Sequence, residues 1–356
     1  MLYRLFLSLL LVLLGLRIFS YFSNVPNFPE GTHIRINNRV TSEPLIFENS
    51  QYFKLYGLKI YLPKYPQISY GDEIIVEGII SKDKLTDAKL VKIATSDNVL
   101  IRLREKLLSF YKKNLPIDHS ALVAGVVLGS KQNIRPEFWE RLKITGTVHV
   151  VVASGMNVSI VAKFLISALV IFLPRRKAIP LALLGIWTYS IMSGFDAPII
   201  RASIMGSITF VAQELGKLYY AGRALIFSAI IMIFFKPEWL IDLGFLLSFV
   251  ATTSILLLND SIYNFFKKVP DILRSDLSSS LSAQIGVAPI LFASFGQFNI
   301  LSPLYNLAVL WTIPIITLIG MISAIVSLMY VPAAQILLFL VYPFTSWFIT
   351  ITTFLQ

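Results

Sequence analysis

Ser154, flanked by small residues in ASGM, is the side chain best suited by type and setting to act as a nucleophile in an apolar segment. A serine hydroxyl needs a base to activate it. An intramembrane serine hydrolase would draw that base from a later span, and the three histidines, His33, His119 and His149, all precede Ser154. Hydrolysis by Ser154 is therefore the disfavoured reading. The chain has no cysteine, which excludes disulfides, thiol chemistry and Cys-ligated zinc. It also lacks a Walker phosphate loop, an H-x-H-x-D-H signature and an H-E-x-x-H pair. The expectation is a protein with no catalytic residues, no metal and no cofactor: not an enzyme.

The other residues able to do chemistry are ionisable groups inside apolar runs, which are costly there and are functional candidates by default. Lys163, Arg201, Glu214 and Asp242 qualify. Glu214 lies near a span end, where snorkelling or structural pairing serves as well. In GFDAPIIRAS, Asp196, a helix-starting Pro198 and Arg201 fall together. A guanidinium there can hold a phosphate through paired hydrogen bonds or pair internally with Asp196, and the sequence leaves both open.

The elements that must position these groups are mostly membrane helices. Of 356 residues, 56% are apolar and 14% charged, against about 25% charged in a soluble domain. Leu5 to Phe22 reads as an uncleaved anchor helix, with cleavage as a signal peptide the alternative. Candidate spans follow at 150–173, 179–194, 198–214, 223–235, 239–258, 279–295, 300–328 and 331–354. Several fall short of the roughly 20 residues a straight span needs, and many are broken by Pro198, Gly244, Gly286, Pro289, Pro303 or Pro314. Interrupted helices at membrane depth require protein or a water-filled cavity around the freed backbone groups. That favours a channel or transporter over a simple anchor.

Residues 28–97 have another character. THIRINNRV alternates as a half-buried strand, YFKLYGLKIYL reads as a hairpin bent at Gly57, and SYGDEIIVEGII and DAKLVKIAT add further strands. Four or five short strands in 70 residues predict a small closed barrel of the OB type, with a generic small β-domain as the plainer alternative. This segment carries nine basic and nine acidic residues. It can attract a polyanion only if Lys54, Lys59, Lys64, Lys82, Lys84 and Lys89 cluster on one face.

Residues 98–149 carry nine basic and four acidic residues. Within them, residues 99–115 put Leu100, Leu103, Leu107, Tyr111 and Leu115 on one stripe, with Arg102, Arg104, Lys106, Lys112 and Lys113 around the rest. A basic amphipathic helix beside a membrane domain is expected in the headgroup plane, with a DNA-guiding surface as the sharper alternative. Loop charges set the orientation. With Arg175, Arg176 and Lys177 inside, Lys217, Arg223, Lys267, Lys268 and Arg274 also fall inside, and the opposite loops hold only Lys236. The amino terminus is then cytoplasmic, and residues 28–149, the β-domain and the amphipathic helix, are extracytoplasmic.

The segment LGSKQNIRPEFWERLKITGTVHVVVASGMNVSIV resembles the ComEC family of competence channels, whose block runs L-G-(x)n-L-x-x-x-G-x-x-H-x-x-x-x-S-G-x-H-V. Gly129, Gly146, His149, Ser154, Gly155 and Val158 match it, and Asn157 stands where the family has its second histidine. Three further blocks follow in order. They contain Gly194, Pro198 and Arg201; then Pro237, Asp242, Gly244, Phe245, Leu247, Ser248 and Phe249; then Gln284, Pro289, Phe295, Gln297, Pro303, Asn306 and Pro314. The likeness is close over about 120–330 and looser over the β-domain.

The resemblance implies a polytopic α-helical membrane protein with a small extracytoplasmic OB-like domain, seated in a bacterial inner membrane. It implies passage of single-stranded DNA to the cytoplasm during transformation, with a DNA receptor and a cytoplasmic translocase as partners. Many members end in a metallo-β-lactamase-like domain, which the sequence to Gln356 does not contain. Candidates for the DNA path are His149, Ser154, Asn157, Lys163, Arg201, Asp242, Gln284 and Asn306, a weakly positive polar set suited to sequence-independent passage. The rival functions are a secondary transporter of a small solute and a membrane-anchored surface receptor. No inverted repeat is evident in the hydropathy to favour the transporter.

Overall fold

A computed structural model describes residues 2–24, 29–47, 49–152, 154–296 and 299–354, leaving out the side chains of 2–9, 11, 272, 295 and 354. Gln297 of the fourth block lies outside the described residues. In chain order, helix α1 (Leu2–Ser23) precedes strands β1 (His33–Arg39), β2 (Leu45–Ile46), β3 (Ser50–Leu55), β4 (Leu58–Pro63), β5 (Glu73–Ser81) and β6 (Lys84–Ala94). Helices α2 (Val99–Asn114), α3 (Ile117–Leu128), α4 (Pro136–Thr145), α5 (Val148–Val151), α6 (Gly155–Phe172) and α7 (Arg175–Met192) come next. Then come α8 (Ala197–Glu214), α9 (Ala221–Phe235), a 3-10 turn (Pro237–Ile241), α10 (Leu243–Phe265) and α11 (Asp271–Phe295). The last elements are α12 (Ser302–Val309), α13 (Thr312–Ser327), α14 (Val331–Phe339) and α15 (Tyr342–Phe354). The chain divides into two compact units, 1–27 with 197–298 and 28–196 with 299–356.

Among the described residues three helices are long and apolar enough to cross a membrane: Val148–Phe172, Leu243–Phe265 and Leu273–Ser294. Two bent pairs, Ser302–Val309 with Thr312–Ser327 and Val331–Phe339 with Tyr342–Thr353, raise the number to five. The bends of 46° and 42° fall where the expected spans 300–328 and 331–354 were continuous. Pro303 occupies the first turn of its helix, where a missing N–H costs nothing.

The β-domain follows its alternation. Phe53 and Leu55 of β3, Leu58, Ile60 and Leu62 of β4, Ile74, Val76 and Ile80 of β5, and Leu85 of β6 point to one side and form a core with Ile36, Val40 and Ile68. Tyr56 and Gly57 both adopt positive φ, 50° and 82°. This is the turn geometry that matches strand twist in a two-residue hairpin, and it sets the β3–β4 register with Leu55 opposite Leu58.

The expected closed barrel of four or five strands needs correction. The sheet has six strands in the order β1-β5-β6-β4-β3-β2 and does not close, β1 and β2 being its two edges. The cause lies in the chain between them. Val40 still donates to the Asp72 carbonyl at 2.8 Å, but Pro44 has no N–H to give. Glu43 leaves the sheet and enters the helical part of the same unit, where its carboxylate binds Arg104 at 2.8 Å.

Helix α2 also departs from expectation. Its buried residues are Ile101, Arg104, Leu107, Leu108, Phe110 and Tyr111, so the true inward face is turned from the predicted stripe and includes one of the supposed surface cations. Leu107, Leu108, Phe110 and Tyr111 join one core with α3 and α13, and the Tyr111 hydroxyl donates to the Gly320 carbonyl at 2.9 Å. A Cβ on Gly320 would stand 2.8 Å from Val127 and crowd α3, so the glycine admits the close packing. The inward face of α2 is thus packed against protein.

Candidate nucleic-acid interface

The β-domain presents a built surface. In β3 and β4 the residues that do not enter the core, Tyr52, Lys54, Lys59 and Tyr61, share the opposite face. Lys54 stands across from Lys59 and Tyr52 across from Tyr61. The parallel β4–β6 pairing then sets Lys59 beside Lys84. Three lysines therefore form a row across three adjacent strands, spaced about 4.8 Å apart per strand. Next to it the rings of Tyr52 and Tyr61 lie 5.0 Å apart. Like charges directly opposite destabilise a sheet, and among the described residues the row has one paired carboxylate, Asp83 at 2.5 Å from Lys59. That hydrogen bond holds the Lys59 ammonium above its ordinary pKa and the Asp83 carboxyl below its own. A cationic row beside stacking rings is the combination that holds a single strand without reading its sequence.

The other three β-domain candidates are elsewhere. Lys82 sits in the β5–β6 turn at φ 54°, Lys89 pairs in register with Glu77, and Lys64 follows β4. Lys89 instead lines a recess of about 530 Å³ with Tyr65, Pro66 and Lys92. Buried Gln51 shapes that recess by donating to the carbonyls of Pro63 and Pro66.

The unit holding the β-domain also brings two of the matched blocks together. Gly146 adopts a φ of 70° at the end of α4, and a Cβ there would strike Ser302 at the start of α12. His149 stands on the short helix α5, three residues beyond Gly146. One helix turn beyond Ser302, Asn306 is buried, donating to Ser302 Oγ at 3.4 Å and leaving Oδ1 without a partner among the described residues. Asn157 is fully buried on α6, with Nδ2 donating to the Val126 carbonyl at 2.9 Å and Oδ1 unpartnered among the described residues. Ser154 precedes α6 and makes no capping bond, and Lys163 projects from α6 exposed. Gly146 and Asn306 thus share a neighbourhood that their separation in sequence conceals.

The other unit holds Arg201, Asp242 and Gln284. Asp242 accepts from the Phe245 amide at 2.8 Å and caps α10, an ordinary helix-start role. Gln284 lies half-buried on α11. Arg201 donates from Nη1 to the Ser248 carbonyl at 3.0 Å, and its buried Nε has no acceptor among the described residues. Asp196, the alternative partner, is bound instead by Lys131 at 3.0 Å. A half-buried guanidinium without a carboxylate retains a donor for an anion.

Sequence reasoning missed the Arg104 site. Its guanidinium is fully buried and donates to Glu43, to the Met192 carbonyl at 2.7 Å and to the Leu128 carbonyl at 3.5 Å. Both carbonyls end helices, where a cation is favoured. Ser130 Oγ and the Lys131 amide complete the bonds to Glu43. The available signal was weak: a single arginine four residues after Leu100 and three before Leu107, at the spacing of the predicted apolar stripe.

These features define a mostly helical protein with several helices able to cross a membrane and a small sheet carrying a basic aromatic face. The chain belongs to the Competence protein family, which matches residues 126–356, and is a competence protein of the ComEC type. It is 30% identical over 209 residues to ComE operon protein 3 of Bacillus subtilis (strain 168), covering 58% of this chain and 26% of that one. It is also 30% identical over 238 residues to an uncharacterized protein of Aquifex aeolicus (strain VF5), covering 65% of this chain and 54% of that one. The chain therefore spans only about a quarter and about half of the lengths of these relatives. No solved structure matches it.

Proposed function

We propose that this chain forms the membrane path by which single-stranded DNA enters the cytoplasm during natural transformation. The observation that carries this reading is the Lys54–Lys59–Lys84 row beside Tyr52 and Tyr61, in a chain of a competence family. The path of the sheet supports an OB-like module. Strands β1 and β2 are consecutive in the chain and take the two edges, and β4 runs parallel to β6. A five-stranded barrel whose first strand is broken at 40–44 has this order. Its second and third strands, here β3 and β4, form the face that binds oligonucleotides in such modules. The chain acts as a conduit and performs no hydrolysis. It sits in the inner membrane of a bacterium and works with a DNA receptor outside and a translocase within.

Loop charge gives the orientation, with the β-domain outside and Arg175–Lys177 in the cytoplasm. The absence of native cysteine makes the test simple. A single cysteine at Ser81 is expected to react with an impermeant thiol reagent in intact cells or spheroplasts. Reaction only after the membrane is broken reverses the assignment.

Arg201 tests the path itself. If its free Nε meets passing phosphates, Arg201→Ala abolishes transformation while the protein remains in the membrane at normal amount. Arg201→Lys retains part of the activity, keeping the charge but losing the planar fork. Normal transformation with Arg201→Ala removes the role, and equal loss of protein and transformation assigns Arg201 to structure through Ser248.

A further inference from the structure

The exposed face of α2 is not absorbed by the β-domain surface or by the matched blocks. Arg102, Lys106, Ser109 and Lys113 are all exposed and recur at four, three and four residues, so they form one narrow stripe, with Lys112 at its side. At 1.5 Å per residue the stripe from Arg102 to Lys113 is about 16 Å long. Among the described residues none of these four cations makes an ion pair. Arg102 donates to the Asp97 carbonyl at 3.1 Å. The single carboxylate of the helix, Glu105, lies off the stripe at 3.4 Å from the buried Arg104.

What surrounds α2 decides what this stripe can face. Tyr111 reaches Gly320, in the middle of α13, and Asn114 accepts from Gln335 of α14 at 2.8 Å. Helix α13 belongs to a bent pair apolar enough to cross a membrane. The second half of α2 therefore packs beside a segment apolar enough to span. Unpaired cations beside such a segment face water or reach for an interface. The buried face of α2 packs into the core it shares with α3 and α13, and of its large apolar side chains only Val99, at its start, is exposed, little to anchor the helix among acyl chains.

Resting on the reading of the chain as a path for single-stranded DNA, we propose that the Arg102–Lys106–Lys113 stripe is a wall of that path and contacts the phosphodiester backbone of the passing strand. The spacing suits this role. Separate cations along one line make several weak contacts, so a strand is attracted without being held at one point.

The test uses the full chain in lipid nanodiscs containing phosphatidylcholine and phosphatidylglycerol, with a labelled single-stranded oligonucleotide. With p-benzoylphenylalanine placed at Lys106, irradiation is expected to give an oligonucleotide adduct that high salt suppresses. Each lost contact to single-stranded DNA lowers the slope of log affinity against log salt by about 0.7. The double variant Lys106→Gln with Lys113→Gln is therefore expected to lower it by about 1.4. Both positions are solvated, so the thermal midpoint should stay unchanged, confirming that the variant is folded. An adduct with lipid alone, or an unchanged salt slope, overturns the proposal in favour of a headgroup contact. If the oligonucleotide still binds through Lys54, Lys59 and Lys84 in that case, the DNA reading stands and only the stripe is lost. If the full chain binds no oligonucleotide, both fall.

Discussion

Arg104→Ala is expected to remove most of the folded protein from the membrane. Arg104 is fully buried and Glu43 5% exposed, so truncating the arginine leaves a carboxylate sealed in protein with only Ser130 and the Lys131 amide to solvate it. Breaking a buried pair by removing one partner costs about 3–5 kcal/mol, a large share of the roughly 5–15 kcal/mol by which a domain is stable. The carbonyls of Met192 and Leu128 lose their donor as well. Glu43→Gln should cost less, because the amide oxygen can still accept from Arg104. Replacing both partners together, Arg104→Met with Glu43→Leu, should recover much of the loss, since an apolar pair of similar volume leaves no charge uncompensated. Thermal unfolding in detergent and abundance in membranes measure this, and an Arg104→Ala protein with an unchanged midpoint contradicts the account of the site.

The second large effect is on nucleic-acid binding. Tyr52→Ala with Tyr61→Ala is expected to weaken single-stranded DNA binding by the full chain by tenfold or more, stacking on an aromatic ring contributing about 1–3 kcal/mol per base. Lys54→Gln with Lys59→Gln and Lys84→Gln should lower the salt slope by about 2, three contacts at about 0.7 each. All five side chains are off the β-domain core, and removing adjacent like charges relieves repulsion, so the lysine variant should unfold no earlier than the parent. Fluorescence anisotropy across a salt series measures both. Unchanged affinity in the tyrosine variant and unchanged slope in the lysine variant would assign the β-domain another role.

Local chemistry was legible in the sequence where it is written locally. The Tyr56–Gly57 hairpin follows from a glycine between alternating runs, and the β-domain core follows from a period of two. The row of lysines was not legible, because Lys54, Lys59 and Lys84 become neighbours only through the parallel β4–β6 pairing, which no local pattern encodes. Arg104 illustrates the same limit. Helical periodicity placed a cation at the margin of the stripe, but its burial depends on Glu43, 61 residues earlier, leaving the sheet to meet it. Asp242 shows the reverse. An acid in an apolar run drew attention as a path candidate, and its position just before α10 also makes it a helix cap. Which side chains meet, as at Gly146 and Ser302, depended on close approaches allowed by glycine.

The most direct test of the central claim follows labelled duplex DNA into competent cells that carry or lack this chain. Cells lacking it should still draw DNA past the outer surface into a nuclease-protected state, yet contain no labelled single strand in the cytoplasm and yield no transformants. Single-stranded label in the cytoplasm at the normal level without this chain, or failure already at surface uptake, would contradict its role as the membrane path.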